Sequence, residues 1–183
     1  KVIVPVHWGG ASPDMDAIVA IAAKHNLEIV EDSCMGIGAS INGRSPGTYG
    51  QVNAYSMHPL KSLNAMGDGG MVVTNDDALA SWMRKDRNHG MVDRNHIEFW
   101  GVNMRLQPLQ AVVVSHGLDD LPRVIEKRNH NAARLDKGLL ELAPKVIIPA
   151  RPEGYKETFA LYMGLFEDRD TILAFLIRTG IEA

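Results

Sequence analysis

One cysteine, Cys34, is all that the 183 residues carry, so no internal disulfide framework can staple this chain and a reducing compartment suits it. Aromatic residues are scarce at 6%, and no apolar run approaches the roughly 20 residues that a membrane-crossing helix needs. The chain does not open on the pattern of a secretory signal. Neither sign of charge dominates: a formal net charge of -3 provides no broad basic field for a nucleic acid. The histidines at 7, 25, 89, 96, 116 and 130 lack metal-ligand spacing, so no metal is expected. These absences leave a globular protein with no nucleic-acid or membrane partner, and the cytoplasm as its expected location.

Hydrophobic residues make up 45% of the chain and charged residues 22%, which is enough to build a core at this length. Strand and helix patterns alternate. Residues 2–6 read as a strand and 14–24 as an apolar-periodic helix, with Ser12 or Asp14 as its cap. A β-branched run over 27–31 gives the next strand, and the Gly-, Ser- and Pro-rich stretch 40–50 a loop or hairpin. Strands near 52–56 and 70–74 follow, then a helix from Asp76-Asp77 towards Arg87 with its acids at the N-terminal end. The alternation predicts an α/β fold whose mostly parallel sheet is covered by helices. Farther on, residues 88–108 read as an extended loop and 109–142 as a helix with Lys127, Arg128 and Arg134 on its solvated face. Pro144 and Pro149 flank Val146-Ile147-Ile148, dividing the chain into 1–143, part of a large domain, and 144–183, part of a smaller C-terminal one. In that second part, 158–166 read as a strand and 169–178 as a helix.

The chemistry centres on Lys61, in a polar turn that ends the short apolar run from Ala54. Gly67-Asp68-Gly69-Gly70 follows it and leads into another strand. Upstream, the strand over 27–31 delivers Glu31-Asp32 at its carboxyl end, where ligands sit in sheets of this kind. A turn lysine is ordinarily solvated, and an aspartate after a strand ordinarily caps a turn. Taken with the Ser56 hydroxyl, five positions before the lysine, they are the parts that a pyridoxal 5'-phosphate (PLP) site requires. An amine condenses with the aldehyde, a carboxylate keeps the pyridine nitrogen protonated, and a hydroxyl holds phosphate. Pleating sends Glu31 to the face opposite Asp32, which makes Asp32 the better candidate.

Five segments resemble, in this order and at similar separations, the DegT/DnrJ/EryC1/StrS family of sugar aminotransferases. They are V-H-W-G-G at 6–10, E-D-S-C-M-G-I-G-A at 31–39, Y-S-M-H-P-L-K-S-L at 55–63, G-D-G-G-M-V-V-T-N-D at 67–76 and G-V-N-M-R-L at 101–106. The resemblance runs from about residue 2 to about residue 135 and thins out beyond. It implies the type I PLP-dependent transferase fold, aspartate aminotransferase-like, with PLP as cofactor. Lys61 is then the catalytic lysine, which holds PLP and afterwards shuttles a proton, while Asp32 meets the pyridine nitrogen and Ser56 the phosphate. His58 falls near the cofactor without a defined role. Asn103 matches an asparagine that reaches the phosphate across a subunit interface, which implies a homodimer with shared active sites. Arg105 is a weaker candidate for substrate or interface contact. The implied reaction moves an amino group from an amino acid, glutamate first, to a nucleotide-linked keto sugar. Family members extend farther at both ends, so the expected fold is a large domain incomplete at both ends plus the start of a small one.

Three positions depart from the family pattern. Met35 stands where a glutamine often bonds the cofactor's phenolic oxygen, Ile37 where histidine is frequent, and Asp68 where glutamate is usual. Losing one neutral hydrogen bond matters by about 0.5–1.5 kcal/mol, which retunes a cofactor without preventing its binding. Two alternatives stay open. One is a PLP- or pyridoxamine phosphate-dependent sugar dehydratase, which Lys61 disfavours because such relatives carry histidine there. The other is a non-catalytic regulatory member of the same fold.

Overall fold

Asp14, not Ser12, caps the first helix, α1 (Met15–His25), by accepting the backbone N–H of Ala17 at 3.0 Å. Met15 and Ala22 form its buried face, and Asn26 ends it in a left-handed conformation that asparagine tolerates, φ 51°. In the computed structural model, which describes residues 1–182, this helix lies between the strands β1 (Val2–Ile3) and β2 (Glu28–Asp32). The short β3 (Ser40–Ile41) follows, then β4 (Val52–Ser56), β5 (Gly70–Val73) and the helix α2 (Asp77–Asp86). Asp76 caps α2 by accepting the N–H groups of Ala78 and Leu79. Next come β6 (Met91–Asp93), β7 (His96–Ile97) and the long helix α3 (Pro108–Leu140). The chain closes with β8 (Val146–Ile147), β9 (Tyr155–Lys156), β10 (Leu165–Phe166) and α4 (Arg169–Arg178).

The main sheet runs β1-β2-β4-β5. β1 with β2 and β2 with β4 are parallel, while β5 returns antiparallel to β4 with Gly70 opposite Ser56. The sheet is therefore mostly parallel, as expected. Parallel pairing places Asp32 beside Ala54, so β2 and β4 finish at the same edge. That edge carries the site.

The core sits under this edge. Met57, Leu63 and Ala65 from the segment after β4 pack against Val114, Leu121 and Ile125 of α3, with Ile37 and Leu106 alongside. Gly117 of α3 leaves room for Leu63, because a Cβ there would meet Leu63 Cδ1 at 2.9 Å. A second device fixes the start of α3. Gln110 accepts the N–H of Gln107 at 3.2 Å and donates to the Asp68 carbonyl at 2.9 Å, tying the helix to the loop beyond Lys61.

Four local expectations change. The strand expected over 2–6 stops at Ile3, since Pro5 has no N–H to give a ladder; its carbonyl still accepts from Asp32 N at 2.9 Å. The expected loop 88–108 contains the hairpin β6–β7, turned by Asp93 accepting the N–H of Asn95 at 2.9 Å. Trp82 stacks on Phe99 beside it, with ring centroids 5.5 Å apart. Of 158–166 only β10 is strand, because Thr158 donates its N–H to Gly10 O at 3.1 Å and Phe159 turns left-handed at φ 47°. Arg128 is not a solvated charge: its guanidinium donates to the Phe159 carbonyl at 2.6 Å.

Candidate functional site

Two strand ends and one turn make the site. β2 delivers Asp32 and its parallel neighbour β4 delivers Ser56. The chain then loops: Met57 N donates to Gly69 O at 2.8 Å, Ala65 N to Met57 O at 2.9 Å, and Lys61 N to His58 O at 2.9 Å. Within the loop the Ser56 hydroxyl accepts the N–H of His58 at 3.3 Å, and His58 Nδ1 accepts that of Leu60 at 3.2 Å. Buried Met57, Leu63 and Ala65 anchor both flanks, so Lys61 is positioned by its neighbours while its side chain stays partly exposed. Gly69 allows the loop to close, since a Cβ would meet Leu106 Cδ1 at 2.8 Å. A cavity of about 530 Å³ opens there, with Met35, Ser56, His58, Lys61, Asp68 and Leu161 in its wall, a size that suits a small molecule.

Asp32 is half fixed. One carboxylate oxygen accepts the N–H of Cys34 at 3.1 Å, leaving the other for a ligand. The Cys34 thiol senses both charges of the site: burial pushes it up to about 11, Asp32 adds to the rise, and the Lys61 ammonium opposes it. Lys61 itself enters no ion pair among the described residues.

Met35 forms part of the wall through its own contacts. Its sulfur accepts the N–H of Gly9 at 3.2 Å, and its carbonyl accepts the Thr158 hydroxyl at 2.7 Å. His58 Nε2 lies 3.9 Å from an Asp68 carboxylate oxygen, an exposed pair of little energetic weight. Asn103 and Arg105 stand apart from this cavity. Arg105 donates to Asn103 Oδ1 at 2.9 Å and to Asn88 Oδ1 at 3.1 Å, and it borders a broader groove of about 980 Å³ between β5 and α2. The structure thus gathers Met35, Ser56, His58 and Lys61 in one cavity wall, places Asp32 at the end of the strand next to β4, and leaves Asn103 and Arg105 outside.

His7 and Glu31 carry no role predicted from the sequence, yet both are fully buried against β2. Glu31 Oε1 accepts the N–H groups of Tyr49 at 2.6 Å and Gly50 at 2.7 Å. Its Oε2 accepts Gly47 N–H at 2.7 Å and meets His7 Nε2 at 3.0 Å. Burial alone would raise this carboxyl; the bonds from His7, Gly47, Gly50 and Tyr49 outweigh it and hold Glu31 below the usual range. The signal available in the sequence was the pleat that turns Glu31 inward, together with the side-chain-free Gly47 and Gly50 that let backbone approach it.

A cavity with a lysine in its wall, at the carboxyl edge of a mostly parallel sheet, defines an α/β protein. The chain belongs to the DegT/DnrJ/EryC1/StrS aminotransferase family, which it matches over residues 1–183. It is 40% identical over 182 residues to the pleiotropic regulatory protein of Geobacillus stearothermophilus, covering 99% of this chain and 49% of that protein. It is 37% identical over 181 residues to the UDP-N-acetyl-3-dehydro-alpha-D-glucosamine 3-aminotransferase of Acidithiobacillus ferrooxidans, covering 99% and 48%. The crystal structure of S. venezuelae DesV, in complex with a ketimine intermediate, matches with a TM-score of 0.94 at 36% identity, covering 100% of this chain and 49% of DesV. The chain spans about half the length of these relatives. Among the described residues no helix is long and apolar enough to cross a membrane.

Proposed function

We propose that the protein containing this chain is a PLP-dependent aminotransferase that moves an amino group from an amino acid, glutamate first, to a nucleotide-linked keto sugar. The observation that carries this reading is the convergence of Lys61, Asp32 and Ser56 at one sheet edge. Their donor set fits the cofactor: a primary amine for its aldehyde, a carboxylate with one oxygen open for its ring nitrogen, and a hydroxyl whose O–H is left for its phosphate. When bound, PLP supplies an electron sink for the negative charge left by a broken C–H bond. Lys61 holds the aldehyde through its amine. Once free, that amine takes the proton from the α-carbon of the amino donor and returns a proton as nitrogen passes to the sugar carbon. Asp32 keeps a negative charge against the ring nitrogen. His58 orients the turn by accepting the Leu60 N–H, and Met35 offers a thioether where a hydrogen-bonding side chain would tune the ring. Asn103 and Arg105, outside the cavity of their own chain, serve the site of a partner subunit in a homodimer, in the cytoplasm.

The test is spectroscopic and kinetic. Full-length protein reconstituted with PLP should gain a visible absorbance band and transfer nitrogen from glutamate to nucleotide-linked keto sugars. Lys61→Ala should abolish the band and lower transfer by at least roughly 10²-fold. A cofactor spectrum indifferent to that substitution contradicts the proposal. The regulatory name of the Geobacillus relative favours a second reading, a non-catalytic member that keeps the fold. Full-length protein that holds PLP on Lys61 but transfers no amine to any keto sugar of a broad panel would favour it.

A further inference from the structure

We infer that His7 is a positioning residue for Asp32, acting through the buried carboxylate of Glu31. This rests on the reading in which Asp32 meets the ring nitrogen of PLP. His7 grips both members of the Glu31-Asp32 pair. Its backbone N–H donates to Asp32 O at 3.0 Å, and Asp32 N–H donates to Pro5 O at 2.9 Å, so the main chain of Asp32 is held on the β1 side. Its ring reaches the neighbouring residue, with Nε2 3.0 Å from Glu31 Oε2 and Nδ1 3.0 Å from Ser12 Oγ. A carboxylate only accepts, so Nε2 carries a proton, while Nδ1 shares a hydrogen bond with the Ser12 hydroxyl.

Three backbone donors from the 47–50 loop already bind Glu31. The imidazole adds a fourth bond, and among the described residues it is the one that joins the Glu31 carboxylate to the segment that follows β1. Consecutive strand residues point to opposite faces, so a Glu31 held from both sides fixes the direction in which Asp32 leaves the sheet. Any roll of β2 about its axis would pull Glu31 away from donors in a site without solvent, which is costly for a buried charge. The turn that holds Asp32's oxygen leans on the same histidine. A Cβ on Gly36 would meet His7 Cβ at 3.2 Å, and that turn supplies the Cys34 N–H to Asp32. His7 is not among the residues that line the cavity. Its effect is transmitted through orientation alone.

The experiment uses full-length protein loaded with PLP labelled with 15N in the ring. Borohydride reduction and peptide mass mapping establish whether Lys61 carries the cofactor. The wild-type ring nitrogen should be protonated at neutral pH. His7→Leu should move its NMR signal towards the neutral form and weaken PLP retention by about tenfold or more, the weight of one hydrogen bond to a charged group. His7→Gln, whose amide N–H can reach Glu31, should restore both. Ser12→Ala, which only frees the ring to rotate, should displace the signal in the same direction by less, and it decides the matter if His7→Leu does not fold. A ring nitrogen and a PLP affinity unchanged in folded His7→Leu or in Ser12→Ala, with only the melting temperature lowered, would overturn the positioning role. Wild-type protein without cofactor on Lys61 would overturn the PLP reading and this role with it; wild-type protein that carries it, with unchanged variants, overturns this role alone.

Discussion

Glu31 stays charged in a dry site because four donors converge on it, and that arrangement has a pH signature. Its folded pKa lies below the ordinary 4.5, so the stability it confers is complete above the unfolded value and is lost as pH falls through the folded one. Glu31→Gln should cost full-length protein about 1–3 kcal/mol at neutral pH, because an amide turns a donor towards the Gly47 N–H. In urea titrations over a pH series, that gap should narrow below about pH 4; a gap that is constant with pH contradicts the assignment. Cys34 reports on the other face of the strand. Its thiol is pushed up from 9.0 to about 11, two units and so about a hundredfold less thiolate in neutral solution. Iodoacetamide should therefore alkylate it about a hundredfold more slowly than an unperturbed thiol. Asp32→Asn should speed the labelling by removing one cause of the rise. Lys61, Asp32 and Ser56 were legible in the sequence because each carries chemistry in its own side chain. Glu31 was harder to read, since three of its partners are backbone N–H groups that the pleat and the glycines at 47 and 50 signal only indirectly.

The Lys61 turn depends on an element that contributes nothing to the chemistry. Leu63 packs into α3 beside Gly117, and through it the helix holds the lysine loop from below. Leu63→Ala should cost about 2–5 kcal/mol by urea denaturation and weaken PLP binding as the loop slackens. Leu140→Ala, on the exposed end of the same helix, should stay within about 0.5 kcal/mol and leave the cofactor untouched. Equal losses from both substitutions would separate the turn from the core. Longer elements were readable in advance: α1 and α2 carry side-chain caps, α4 a helical apolar pattern, and β2 and β4 run to five residues each. The two- and three-residue strands β3 and β6 to β9 were not, because so short a pair has no periodicity and is set by where distant segments meet. Thr158 shows this: its bond to Met35 spans 123 residues, and no local pattern announces it.

Across the whole molecule large apolar side chains are exposed in many places, and three of them lie on segments next to the site. Leu60, Met66 and Leu109 are 79%, 80% and 81% exposed, on the lysine turn, the loop after it and the start of α3. Gln110 ties the latter two together through the Asp68 carbonyl. Large apolar side chains grouped in this way mark a surface meant to be covered. Asn103 lies just before α3 and outside its own chain's cavity, so covering this face with a second copy would carry Asn103 towards the other site. The proposed dimer and the proposed shared phosphate contact are then one arrangement, and one substitution should break both. Full-length protein should sediment as a homodimer, and Leu109→Glu should shift it to monomer while weakening PLP retention. Leu140→Glu is equally apolar-to-charged on an exposed position, but α3 is 33 residues, about 50 Å, long, which places it far from the site. It should change neither property. Monomeric Leu109→Glu that keeps PLP as tightly as wild type would show each subunit to be self-sufficient, and a Leu109→Glu dimer would place the interface elsewhere.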